Sequence, residues 1–131
     1  MSDAFLFLHL LSAAAIFAGI VAVSAAVLGA QLGGGASRAF IALAQVGILG
    51  VLLFGVALAI DIDGYEPWDV WVLIAIALWL VAGRTGDIVA AHFREPAGEG
   101  AAVPSEIARA HWIHVAVVLL LLADMVWKPW A

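Results

Sequence analysis

The chain has 131 residues, 66% of them hydrophobic and 11% charged, with a mean hydropathy of +1.16. Soluble domains carry about 25% charged residues, so this much apolar surface excludes an aqueous globule and belongs in a bilayer. The formal charge of −5 excludes the basic footprint that nucleic acid needs, and the lack of cysteine excludes disulfides, iron–sulfur clusters and thiolate metal sites.

The first apolar segment covers residues 5–30. It follows "MSDAF", an acid standing where a signal peptide carries lysine or arginine, which predicts an uncleaved first span. Small residues recur along it at steps of three and four: Ser12, Ala15, Gly19, Ala22, Ala26 and Gly29. In lipid such a stripe lets two helices approach closely. It serves packing inside one bundle or, alternatively, a homodimer face. His9 lies a few residues in from the start.

"QLGGGASR" leads to the second segment, residues 39–60. Its glycines are expected to end the first helix and Ser37 to cap the second. Gln45 lies within the second segment and Asp61 closes it. "DIDGYEP" leads to the third, residues 68–91. That turn resembles half a calcium loop but lacks the EF-hand spacing, so it reads as an acidic turn. Arg84, Asp87 and His92 lie toward the end of the third segment. Arg84 and Asp87 are three apart on one helix face and either neutralise each other or mark a polar path.

"FREPAGEGAAVPSE" leads to the fourth segment, residues 107–127, with Ser105 the expected N-cap after Pro104. It carries His111 and His114 near its start and Asp124 and Met125 near its end. Each segment is close to or above the roughly 20 residues of a transmembrane helix. The connections are short, so successive helices are antiparallel neighbours. The expected fold is an all-α membrane protein, a single transmembrane domain over residues 1–131 forming a four-helix up-down-up-down bundle.

Arg38, Arg84, Arg94 and Arg109 fall at one end of such a bundle and Lys128 at the other. The positive-inside rule then places the first and third connections in the cytoplasm and both termini outside. Tyr65, Trp68, Trp71, Trp127 and Trp130 would form an aromatic belt at the outer interface.

Depth along the helices groups the polar residues. His9, Asp61 and Asp124 fall at the outer level. His92, His111 and His114 fall at the inner level, with Gln45 nearby. Imidazole is a good ligand for haem iron, copper and zinc, and residues at i and i+3 point the same way from a helix. The histidines are also explained as interface residues or as partners of neighbouring polar groups. His114, well inside the hydrocarbon, is expected to face the bundle and hold a metal, haem iron, or a group such as Gln45 or Asp87. His111 is expected nearer the headgroups.

"FLFLHLLSAAAIFAGIVAVSAAVLG" resembles the opening helix of several small bacterial membrane families, with an early histidine followed by small residues and glycine. One is a family of predicted four-helix integral membrane proteins, domain-of-unknown-function family 2269; the closing "DMVWKPW", with Lys128-Pro129 after the last helix, is similar to its ending. The membrane domain of the copper-resistance protein CopD and the haem-binding protoporphyrinogen oxidase HemJ are more distant likenesses. The resemblance implies that His9 is the position most like a ligand. The chain has Ile16 and Phe17 where the CopD and HemJ families often place a tryptophan, and only Met1 and Met125 as methionines, so copper is the weaker reading.

Three functions follow as expectations. The first is binding of b-type haem, or less plausibly copper, by His92 with His111 or His114, with His9 and Met125 as a second, outer site. The second is an assembly or scaffold subunit, and the third a small transporter or channel. No nucleophile–base pair, phosphate loop or metal-hydrolase motif marks an enzyme.

Overall fold

The computed structural model describes residues 2–30, 34–61, 66–94 and 103–127. All regular structure among them is helical: α1 Ser2–Val27, α2 Gly34–Asp61, α3 Val70–Arg94 and α4 Ser105–Trp127. At 1.5 Å per residue these helices are about 34 to 42 Å long, enough to cross a hydrocarbon core of about 30 Å. All four are also apolar enough to do so. Large apolar side chains are exposed on every helix, among them Phe7, Leu49, Leu80 and Leu120. This outward apolar surface is what a lipid-facing bundle presents and what a soluble helix bundle hides. The protein is therefore a four-helix membrane protein.

The helices form an up-down-up-down bundle with three core layers. At the end carrying Arg38, Arg94 and Arg109, here the arginine end, Val23, Ile41, Val89 and Ala110 pack together, one from each helix. Midway, Ile16, Val51, Ala82 and Val118 do the same. At the opposite, acidic end the layer is Ala59, Trp71 and Val72 with Met125 against it, and α1 contributes nothing buried.

The bundle consists of two tight hairpins, α1 on α2 and α3 on α4, with looser contact between α2 and α3 and looser still between α1 and α4. Glycine explains the first hairpin. A Cβ on Gly19 would lie 2.5 Å from Ala44 Cβ, and one on Gly47 would lie 2.6 Å from the Ser12 carbonyl oxygen. A Cβ on Gly50 would collide with the Ser12 side chain. The small stripe of α1 is thus spent, at Ser12, Ala15 and Gly19, on packing against α2.

Three helix ends differ from the sequence expectation. α1 ends at Val27, before the triple glycine. Gly29 takes φ 108°, Gly29 N donates to Ala26 O and Ala30 N donates to Ala25 O. This is a Schellman closure, which needs one glycine in the left-handed region and none after it. Gly34 and Gly35 then belong to α2, so Ser37 lies inside its first turn and is buried rather than capping it. At α4 the amides of Ile107 and Ala108, in its first turn, donate to Pro104 O. Pro104, not Ser105, therefore holds the cap position. Tyr65, Lys128, Pro129 and Trp130 lie outside the described residues.

Candidate functional site

The missing α1 contribution at the acidic end leaves a cavity of about 430 Å³ between α1 and α4, floored by α2 and by Trp71 of α3. Its walls are almost wholly apolar, including Leu6, Ile16, Phe17 and Leu121. Among the described residues His9 supplies its one imidazole, Met125 its one thioether and Asp3 its one charge. Volume and lining match those of small-molecule and cofactor sites, which run from about 300 to 1,000 Å³ with few polar groups.

His9 is held in one tautomer. Its Nδ1 lies 3.1 Å from Val51 O, and a carbonyl can only accept, so Nδ1 carries the proton. Nε2 then keeps its lone pair, and it has no hydrogen-bond partner among the described residues. A backbone carbonyl holding Nδ1–H is the usual support of a metal-bound imidazole. Gly55 of α2 supplies the space beside the ring. A Cβ there would lie 3.1 Å from His9 Cε1 and 3.8 Å from Met125 Cε, so the two side chains approach the same point from α1 and α4.

The expected outer trio does not assemble. Asp61 is exposed at the end of α2. Asp124 is turned into the bundle, 7% exposed, and its Oδ2 has no partner among the described residues. Neither lines the His9 cavity.

The inner histidines go to different places. His114 is buried, as the sequence suggested, but Gln45 and Asp87 are not its partners. Its Nδ1 lies 2.9 Å from Ala82 O and 3.1 Å from Thr85 Oγ1, both on α3, while the Thr85 hydroxyl donates to Val81 O at 2.9 Å. His111 is not the more peripheral of the two. It is 1% exposed, the most buried large side chain described, and its Nε2 shares a 2.8 Å hydrogen bond with Ser24 Oγ of α1. His92 stands edge-on to Phe93. Among the described residues no three histidine or acidic side chains converge as a metal site. Depth put His92, His111 and His114 on one level; of these, His111 reaches α1 and His114 reaches α3. His111 Nε2 is taken by Ser24, whereas His9 Nε2 keeps a free lone pair in a cavity that Met125 also lines.

Arg84 and Asp87 are both exposed, and among the described residues neither has an ion-pair partner. The mutual neutralisation allowed by their spacing is not formed. Gln45 accepts a hydrogen bond from Arg94, which ties α2 to α3 at the arginine end. Trp79 Nε1 donates to Ile48 O at 2.7 Å and ties the same two helices midway.

Sequence reasoning missed Ser24, Thr85 and Gly55. A single hydroxyl or glycine in an apolar helix carries no spacing signal. Only the "GRTGD" context of Thr85, small residues on either side of a polar one, hints at a close approach from a neighbouring helix.

Comparison with known proteins yields no matching family model, no matching curated protein and no matching solved structure.

Proposed function

We propose that this is a membrane-embedded haem b-binding protein, in which His9 and Met125 would hold the haem. The observation that carries the reading is the convergence of these two side chains over Gly55 in the lining of one apolar cavity. Haem b in such a site would supply one-electron redox chemistry. The chain's own part is to bind and to orient. Val51 O fixes the His9 tautomer and ring, Gly55 leaves the room, and the leucine and phenylalanine walls exclude water.

Three further points support the reading. The donors come from facing helices of a bundle at one level, as a haem between helices requires. The likeness of the first helix to haem- and copper-handling membrane families also singles out His9. Copper alone is the weaker reading, because among the described residues His9 and Met125 are joined by no third imidazole or thioether in the cavity. With the arginines on the cytoplasmic side, the haem cavity would lie in the outer half of the membrane and both termini outside.

The test is the absorption spectrum of the purified protein, as isolated and after reconstitution with haemin in nanodiscs. A Soret band with the sharp reduced bands of six-coordinate haem is expected. Protein that stays colourless and takes up no haemin would defeat the reading and return the chain to the scaffold and transporter alternatives.

A further inference from the structure

A second cavity, of about 380 Å³, lies on the other side of the bundle. It opens between α2 and α3 toward the arginine end, where those two helices pack loosely. Ile41, Ile48, Leu49 and Ala90 make its walls apolar, and among the described residues His114, Gln45 and Asp87 line it, with Trp79, whose Nε1 is already engaged by Ile48 O. It shares no lining residue with the His9 cavity.

The hydrogen-bonding character of the three is fixed by their surroundings. His114 carries its proton on Nδ1, because Ala82 O can only accept it. Its Nε2 is therefore an acceptor, and it has no partner among the described residues. The ring reaches the cavity past Gly86, where a Cβ would lie 3.2 Å from His114 Cε1. Asp87 is an acceptor only when ionised, and it is exposed without an ion pair among the described residues. It stands two turns in from Arg94, about 10 Å along the helix, where an uncompensated charge is costly. Gln45 gives its carbonyl to Arg94 and so keeps its amide N–H donors. The site thus offers two acceptors, one of them anionic, and beside them a neutral donor, all against an apolar wall.

The complement is an amphiphile with a primary ammonium and, next to it, ester or phosphate oxygens. We propose that this cavity binds the head group of an aminophospholipid, the ammonium received by Asp87 and His114 Nε2 and a neighbouring oxygen by Gln45. A primary ammonium brings three N–H donors and a positive charge; a choline head group has the charge without the donors and cannot satisfy both acceptors. Neither haem nor His9 enters this inference.

The experiment is native mass spectrometry of the detergent-solubilised full chain, with thermal unfolding followed in parallel. The probes are phosphatidylethanolamine, phosphatidylcholine of the same acyl chains, dodecylamine and dodecyltrimethylammonium. Phosphatidylethanolamine is expected to bind and to raise the unfolding temperature. Asp87→Asn, at an exposed position, is expected to lower its affinity at least about tenfold, the scale of one hydrogen bond to a charged group, with an unchanged circular dichroism spectrum. Binding of dodecylamine as well assigns the specificity to the ammonium; binding of dodecylamine alone assigns the site to a soluble lipophilic amine and overturns the lipid. Equal binding of phosphatidylcholine or of the trimethylammonium probe, or full affinity in Asp87→Asn, overturns the site.

Discussion

Ser24 on α1 and His111 on α4 share a 2.8 Å hydrogen bond inside the arginine-end layer, between two neighbouring helices that otherwise pack loosely. The hydroxyl satisfies an imidazole that is 1% exposed. Ser24→Ala leaves that nitrogen buried without a partner. Interhelical hydrogen bonds in membranes contribute about 0.6 kcal/mol on average and up to about 1.7, so a loss of about 1 kcal/mol is expected. A double-mutant cycle with His111→Leu, read by denaturant unfolding in detergent, measures the coupling. A cycle with no coupling would remove the bond's structural role.

Glycine substitutions separate tight seams from open ones. Gly47→Ala and Gly19→Ala force α1 and α2 apart, since the added carbon would lie within 2.6 Å of backbone oxygen or of Ala44 Cβ. Overpacking of this kind costs about 1–3 kcal/mol. Gly83→Ala on α3 meets nothing within 4 Å. It is expected to stabilise the helix by up to about 1 kcal/mol through propensity alone. Thermal unfolding of the three variants ranks them. Equal effects at Gly47 and Gly83 would mean that the first hairpin is not closed as described.

Asp124 is a buried acid whose Oδ2 has no partner among the described residues. An unpartnered buried carboxylate is destabilising, and Asn keeps its shape without the charge. Asp124→Asn is expected to raise stability at neutral pH by about 1 kcal/mol, read as a higher unfolding temperature. A lower one would show that the carboxylate binds something that the described residues do not supply.

The helical bundle was legible in the sequence because its causes are compositional: four long apolar segments, few charges and short polar connections. The ends were less so. Three glycines in a row outweighed Gly29 as the stop of α1, although one glycine two residues after Val27 is all that a Schellman closure needs. Depth along a helix follows from counting residues, so His9 and Met125 could be placed at one level, and so could His92, His111 and His114. Direction around the helix axis depends on which neighbours pack there. His111 and His114, three residues apart, reach α1 and α3 respectively, and no periodicity in α4 announces that division. Ser24 and Thr85 are partners chosen by packing, and Gly55 matters only because His9 and Met125 stand over it.

His111 and His114 hydrogen-bond to neighbouring helices, and the proposed function assigns ligation to His9. The haemin-reconstituted Soret spectrum of His9→Ala, measured beside wild type, His92→Ala and His114→Leu, tests this most directly. Leucine at 114 fills the ring's place, and Ala82 O keeps its partner within α3, so that variant is expected to fold and keep the wild-type spectrum, as is His92→Ala. His9→Ala is expected to lose the Soret band or shift it to that of loosely held haem while remaining helical. A wild-type spectrum in His9→Ala, or its loss in His114→Leu with the fold intact, would contradict the assignment of the site to the cavity between α1 and α4.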